Sequence, residues 1–126
     1  MLAATACDDK SPAAPTVPLD QQFTLAPAEA VVIAETSMRV QFVRVSGDSR
    51  CPADVVCILG GDAQVQIRAG RTGAEAEYEL HTGDSSRASF VHAGYRIALV
   101  SLLPYPFSGR ATQPDDYRAT LTVHGL

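Results

Sequence analysis

The stretch GDSRCPADVVCILGG, residues 47–61, decides how the rest of this sequence is interpreted. It holds two of the three cysteines, Cys51 and Cys57, and lies between segments in which apolar and polar residues alternate. In an exported protein, two cysteines that flank a short proline-containing loop favour a disulfide. We therefore predict a Cys51–Cys57 disulfide that closes a small ring, worth roughly 2 kcal/mol by the chain-entropy relation.

A metal site is the alternative for the same residues. Cys51, Cys57, Asp48 or a histidine could act as ligands, but structural zinc sites use tighter cysteine spacing and further Cys or His ligands. Asp48, Asp54 and Asp62 could hold calcium, yet EF-hand spacing is missing and loop acids are common turn formers. We favour the disulfide, and we predict neither a metal nor a cofactor.

On both sides of the ring, apolar and polar residues alternate with a period of two, which predicts β-strands. Short patterns occur at residues 23–25, 31–34 and 38–45. The last of these changes phase near Phe42 and Val43, and a phase change within a strand predicts a β-bulge.

The clearest alternation runs over residues 62–69, and the turn at 70–73 leads into a second alternating segment at 76–81. These two segments predict a hairpin with one buried face and one polar face. Further strands are predicted around Phe90, at 95–103 and at 117–123. Their inward faces are predicted to carry Ala63, Val65, Ile67, Ala69, Ala76, Tyr78, Leu80, Tyr117, Ala119, Leu121 and Val123.

Together these patterns predict an all-β fold, an antiparallel two-sheet sandwich of the immunoglobulin-like, Greek-key type with seven to eight short strands. The sandwich is expected to occupy residues 20–126. Pro104 and Pro106 end the strand at 95–103, because proline cannot continue a central strand. The approach to the last strand predicts a tyrosine corner, in which the Tyr117 hydroxyl bonds to nearby backbone.

Residues 1–19 are predicted to form a lipobox remnant and a tether. The run LAATAC, ending at Cys7, resembles the end of a bacterial lipobox, in which the cysteine is acylated and becomes the first mature residue. The following run DDKSPAAPTVP, residues 8–18, is polar and proline-rich, as an extended spacer is. Asp8 and Asp9 resemble the residues that keep some lipoproteins on the inner membrane. We expect a lipid-anchored protein on the periplasmic side of a bacterial envelope.

Composition excludes several function classes. Apolar residues make up 46% of the 126-residue chain and charged residues 19%, which is typical of one globular domain. The formal charge of −4 argues against a nucleic-acid binder, which needs a basic face. No apolar run approaches the roughly 20 residues of a membrane-spanning helix. We therefore expect membrane contact through the lipid anchor only.

Enzymatic activity is not predicted. The tripeptide Gly47-Asp48-Ser49 resembles the nucleophile block of SGNH hydrolases, but those enzymes also need an asparagine, and this sequence has none. His81, His92 and His124 lie on separate predicted elements and are interpreted as surface or edge residues. Nothing in the pattern assembles a nucleophile, a base and an acid.

A wider pattern of motifs covers nearly the whole domain. It runs V-x-F-x-x-V, DSRCP, C and G-x-A-x-V, followed by L-x-P-x-P and D-Y-x-A-x-L-x-V, and it resembles a group of small uncharacterised bacterial envelope lipoproteins. Where that group commonly has an aromatic residue after the second cysteine, this chain has Ile58 and Leu59. The resemblance implies the fold and the location, and it implies no activity.

Two functions are compatible with these expectations. The first is a non-enzymatic, lipid-tethered envelope module with a structural or protein-binding role and an envelope protein as partner. The alternative is a protease-inhibitor-like module that presents the Cys51–Cys57 loop. Residues 46–61 should share one end of the sandwich with residues 103–110. The candidate binding residues are Arg50, Val55, Val56, Tyr105 and Phe107.

Overall fold

The computed structural model describes residues 14–126, so Cys7 and most of the predicted tether lie outside the described residues. This part of the chain is all-β, with two short 3₁₀ turns at Ser85–Arg87 and Pro114–Asp116. Within the described range, no helix has the length and apolar character needed to cross a membrane.

Nine strands form two sheets, one more strand than the upper limit of the prediction. The strands are β1 (Thr16–Val17), β2 (Phe23–Leu25), β3 (Ala30–Ile33), β4 (Arg39–Asp48), β5 (Ala63–Gly70), β6 (Ala76–His81), β7 (Ser89–His92), β8 (Tyr95–Leu103) and β9 (Arg118–Gly125). One sheet has the order β1-β3-β4-β5-β6 and the other β2-β9-β8-β7. The predicted all-β, two-sheet sandwich is confirmed.

The additional strand β1 lies ahead of residue 20, the predicted start of the domain. Thr16 and Val17 pair in parallel with Val32 and Ile33 of β3. A two-residue strand is too short to show alternation, which is why its sequence reads as part of the spacer. All the other pairings are antiparallel. In the smaller sheet, β7, β8 and β9 follow one another in sequence and in space, and β2 lies beside β9. This is the Greek-key order, read from the C-terminus.

The core lies between the two sheets and follows the predicted alternation. The predicted inward faces of β5 and β9 are buried throughout, whereas Ala76 and Tyr78 near the start of the edge strand β6 stay partly exposed. Register shifts occur between Phe42 and Arg44 and again between Val45 and Gly47, so the predicted bulge is confirmed and a second one follows it. The fully buried larger side chains are Ile33, Val40, Phe42, Val65, Ile67, Leu80, Ile97, Leu102, Leu121 and Val123.

Strand directions place residues 47–61 at one end of the sandwich. β4 runs into this loop at Asp48, β5 leaves it at Ala63, and β8 ends at the same end with Leu103. The opposite end carries the turn before β4, the β5–β6 turn and the β7–β8 turn. Two bulges in β4 raise its local twist just before the loop, as bulges do.

Candidate functional site

The base of the 47–61 loop is built around the side chain of Arg50. Arg50 Nε donates to Asp48 Oδ1 at 2.9 Å and Nη2 donates to Asp48 Oδ2 at 2.8 Å, a two-point ion pair. The remaining donors reach the carbonyl oxygens of Leu102 at 2.7 Å and Pro104 at 2.8 Å. The fork of the guanidinium therefore joins the loop to the end of β8.

This ion pair is buried. The side chains of Arg50 and Asp48 are 8% and 10% exposed. Burial alone would raise the pKa of Asp48, but hydrogen bonds from Arg50 and Tyr117 outweigh it and hold that pKa below its ordinary value. Arg50 was expected to contact a partner. In the structure, every polar contact of its guanidinium lies inside the domain, and contact with a partner stays a prediction.

Tyr117 completes the same cluster and departs from the predicted tyrosine corner. Its hydroxyl donates to Asp48 Oδ2 at 2.8 Å, a side chain on another strand, instead of bonding to nearby backbone. Burial, together with the hydrogen bond to the Asp48 carboxylate, raises the pKa of Tyr117 to about 12. We name Asp48, Arg50 and Tyr117 the anchor cluster. It joins β4, β8 and β9 under the loop.

The two stems of the loop are also joined by backbone contact. Ser49 N donates to the Asp62 carbonyl at 2.7 Å, and Ser49 Oγ donates to the same oxygen at 3.0 Å. A Cβ atom on Gly61 would overlap the Ser49 carbonyl group, so this close approach needs glycine. Asp48, Ser49 and Arg50, the first three residues of the DSRCP motif, thus have structural roles.

His81 lies beside this base at the end of the edge strand β6. Its interpretation as a surface or edge histidine holds for the edge position and is corrected for the surface, because the side chain is buried. Its Nδ1 is 2.6 Å from Asp62 Oδ2, and its Nε2 is 2.8 Å from Glu79 Oε2. Partial burial alone would raise the pKa of Asp62, but hydrogen bonds from His81 and the Gly83 N–H hold it below its ordinary value. Sequence spacing could not show this cluster, because Asp62 lies 19 residues before His81.

An adjacent cavity of about 310 Å³ is lined in part by Arg50, His81, Ser101 and Tyr105. A serine and a histidine in one cavity are the residue types that serve as nucleophile and general base in hydrolases. Both ring nitrogens of His81 already face carboxylates, so neither is available to activate Ser101. Arg50 and His81, the two basic residues of this cavity, are thus both engaged with carboxylates of the loop base.

Above the anchor cluster, the Cys51–Cys57 disulfide is formed as predicted. It closes a ring that presents residues 55–59, VVCIL, which we name the apolar tip. Ile58 is 100% exposed, Val56 98% and Leu59 81%. Val55 is partly exposed. Exposed aliphatic side chains of this number on one small loop mark an interaction surface more often than a structural feature.

The disulfide ring is attached to the 103–110 segment through Ala53 and Asp54, so the 47–61 loop and this segment share one end of the sandwich as expected. Ala53 N donates to the Pro106 carbonyl at 2.8 Å. The N–H and hydroxyl of Ser108 both donate to the Asp54 carboxylate, and these bonds hold the pKa of Asp54 below its ordinary value. The loop is therefore fixed by side-chain and backbone bonds on top of its disulfide.

Tyr105 and Phe107, the two aromatic candidates, are each about half exposed beside the ring. The Arg50 guanidinium carbon lies 5.1 Å from the centre of the Tyr105 ring, a cation–π contact. The Tyr105 ring thus contacts Arg50 and keeps about half of its surface exposed. Of the predicted binding residues, the structure brings Val55, Val56, Tyr105 and Phe107 to one exposed end and places Arg50 beneath them.

The three loop aspartates are not gathered around a common cation. Asp48 pairs with Arg50, Asp54 with Ser108 and Asp62 with His81. Across residues 14–126, no group of three or more Cys, His, Asp or Glu side chains is arranged to hold a metal ion.

Comparison of the chain with protein-family models, with curated proteins and with solved structures finds no match.

Proposed function

We propose that this protein is a non-enzymatic, lipid-tethered module of a bacterial envelope that binds another protein through the apolar tip. The exposure of Val56, Ile58 and Leu59 on a cross-linked loop is the observation that supports it. Exposure of three aliphatic side chains to water is unfavourable. Their burial against a partner would contribute about 25 cal/mol to the free energy of binding for each Å² of apolar surface buried.

The rigidity of the loop supports the same function. The disulfide, the anchor cluster and the Asp54–Ser108 bonds hold in place the ring of residues 51–57, from which the tip projects. A pre-ordered loop loses little conformational entropy on binding, so more of its contact energy appears as affinity. Tyr105 and Phe107 add half-exposed aromatic surface at the edge, a residue type enriched at the centres of interfaces.

The anchoring part of the proposal rests on Cys7 and the proline-rich run that follows it. Expressed with a complete export signal, the protein should be recovered in the membrane fraction with an acylated Cys7. Cys7→Ser should release it into the soluble periplasmic fraction. Recovery of the unchanged protein as a soluble, unacylated species would contradict the tether.

The binding part is tested by substitution at the tip. Ile58→Asp should abolish capture of an envelope protein by the tethered domain, because it puts a charge into the centre of the proposed contact. Val91→Asp is the matched control, since Val91 is also partly exposed but lies on β7, away from the tip. Equal capture by the wild type and the Ile58→Asp variant would overturn the proposal.

A protease-inhibitor-like role is the second candidate, and one observation favours it. Val56 and Ile58 flank the half-cystine Cys57, so one exposed aliphatic side chain lies inside the covalently closed ring and one directly after it. A protease with a small apolar specificity pocket would accept such a side chain. Stoichiometric inhibition of an elastase-type protease that Val56→Asp removes would establish this role, and rapid cleavage of the ring would exclude it.

A further inference from the structure

The chain enters the sandwich from the end that carries the apolar tip. Thr16 and Val17 of β1 pair in parallel with β3, and β3 is antiparallel to β4. Since β4 runs toward the tip, β1 runs away from it. Ala14, the first described residue, therefore lies on the tip side of β1.

The pairing of β1 fixes how far this entry point lies from the tip. Thr16 pairs with Val32, which pairs with Arg39 at the start of β4. The ten residues of β4 then cover about 30 Å before they reach the loop base at Asp48, at about 3.3 Å per residue. Ala14 lies two residues nearer to the loop than Thr16, so about 25 Å separates its level from that of Asp48.

The proposed anchor at Cys7 has just enough chain to reach the level of the loop base. Seven residue steps separate Cys7 from Ala14, and a fully extended chain covers at most about 25 Å over such a length. With a lipid on Cys7, the sandwich can therefore stand on the membrane with its tip at the surface. The opposite orientation requires the chain to reverse its direction before β1. The entry direction thus favours a tip that faces the membrane.

The charged residues around the tip favour a protein surface over a lipid one. Residues 104–117 connect β8 to β9 at the same end, and their exposed charged residues are Asp115, Asp116 and Arg110. Asp54 adds another exposed carboxylate in the disulfide ring. Apolar segments that lie in a bilayer interface are commonly accompanied by Lys and Arg, which attract anionic lipids. An excess of acidic side chains has the opposite effect.

We propose that the protein bound by the apolar tip is embedded in the same membrane that holds the lipid anchor. This partner offers an apolar recess at the membrane surface, and Val56, Ile58 and Leu59 insert into it. The three side chains are uncharged and largely exposed on one loop, as anchors that fill a partner's pocket are before binding. The inference rests on the proposed function, because it names the kind of partner that the same tip binds.

Confinement to one membrane also suits the small size of the contact. A few aliphatic side chains bury less surface than a stable interface between two freely diffusing proteins needs. Two proteins held in the same membrane meet at a high effective concentration, so a weaker contact is enough to keep them together. A freely diffusing periplasmic partner would lack this advantage.

The first test places a cleavable photoreactive residue at position 58 of the exported, tethered protein. After illumination of intact cells and cleavage of the crosslink, a tag stays on the partner. We expect the tagged protein to remain with the membranes in an alkaline wash and, by mass spectrometry, to contain membrane-spanning segments. The tagged peptide should lie directly beside one of these segments. The same residue at position 91, on β7, is the control and should transfer no tag above background.

The second test moves the anchor to the other end of the sandwich. Leu126 lies there, since its N–H donates to the Gly94 carbonyl in the turn between β7 and β8. A chain with Cys7→Ser, a cleavable export signal and a membrane-spanning helix fused directly after Leu126 points its tip away from the membrane. Tag transfer from position 58 should then be lost. A flexible Gly-Ser linker of about 40 residues before the same helix spans about 35 Å on average and should restore transfer.

Two results would overturn this inference while the proposed function stands. One is a tagged partner that the alkaline wash releases from the membranes. The other is tag transfer that is equally strong from the direct fusion and from the fusion with the flexible linker. Transfer to phospholipid alone would make the bilayer the occupant of the tip, and it would remove the inference together with the protein-binding role. The absence of any transfer from a folded, membrane-bound chain would also remove both.

Discussion

Removal of the Arg50 side chain tests the structural role of the anchor cluster. Arg50→Ala deletes two bonds to the Asp48 carboxylate and two to the carbonyls of Leu102 and Pro104. The carboxylate would keep the Tyr117 hydroxyl and the backbone N–H of residue 50, but no counter-charge. Removing one partner of a buried ion pair costs about 3–5 kcal/mol, because the other charge stays buried. The free energy of unfolding of a whole domain is only about 5–15 kcal/mol.

Urea unfolding followed by far-ultraviolet circular dichroism measures this loss, and it suits a chain without tryptophan. Arg50→Ala should strongly lower the urea concentration at which half of the protein is unfolded. The slope of unfolding free energy against urea concentration should not change, since the surface exposed on unfolding stays the same. Arg50→Lys should recover little, because an ammonium group cannot replace the two-point fork. Arg71→Ala, at an exposed turn position, is the control and should stay within about 0.5 kcal/mol of the wild type. If Arg50→Ala lowers the free energy of unfolding by less than about 1 kcal/mol, the buried ion pair does not have the structural role inferred for it.

Three further changes test other parts of the loop base. Replacing both Cys51 and Cys57 with alanine should cost about 2 kcal/mol and leave the sandwich folded, since the ring is short; complete unfolding in the absence of urea would contradict this. Gly61→Ala should cost about 1–3 kcal/mol through overlap with backbone, whereas Gly60→Ala, which has open space around it, should be nearly neutral. The pKa of Tyr117 rises on folding from 10.0 to about 12. The protonated tyrosine therefore stabilises the folded state fully below pH 10, and this contribution is lost as the pH rises toward 12. Tyr117→Phe should therefore flatten the alkaline fall in unfolding free energy, and an identical fall in both proteins would exclude the hydrogen bond as its cause.

Much of the fold was predictable because the buried faces of its strands alternate regularly. The pattern of Ala63, Val65, Ile67 and Ala69 fixes which face of β5 is buried, and the phase change after Phe42 marks a bulge. Strand β1 was missed, because two residues show no period and its pairing with β3 depends on tertiary contact. Local pattern carries no information about pairing of that kind.

The site was predictable in outline, but the burial of Arg50 was not. Spacing and compartment favoured the Cys51–Cys57 disulfide, and the flanking strands placed the loop at one end. The burial of Arg50 and His81 depends on contacts across 52 and 19 residues, which no local motif encodes. A charged residue in a loop is usually solvated, so only tertiary structure could show that Asp48 and Tyr117 enclose this arginine.

The central claim, that the apolar tip is a protein-binding surface, is tested most directly by site-specific photocrosslinking in intact cells. A photoreactive residue replaces Ile58 in the exported, tethered protein, and the same residue replaces Val91 of β7 in a second strain as the control. The proposal predicts discrete crosslinked protein adducts from position 58, lost when Val56→Asp is added, and only background from position 91. Equal adduct patterns from both positions, or none from position 58 while the protein is folded and membrane-bound, would contradict it.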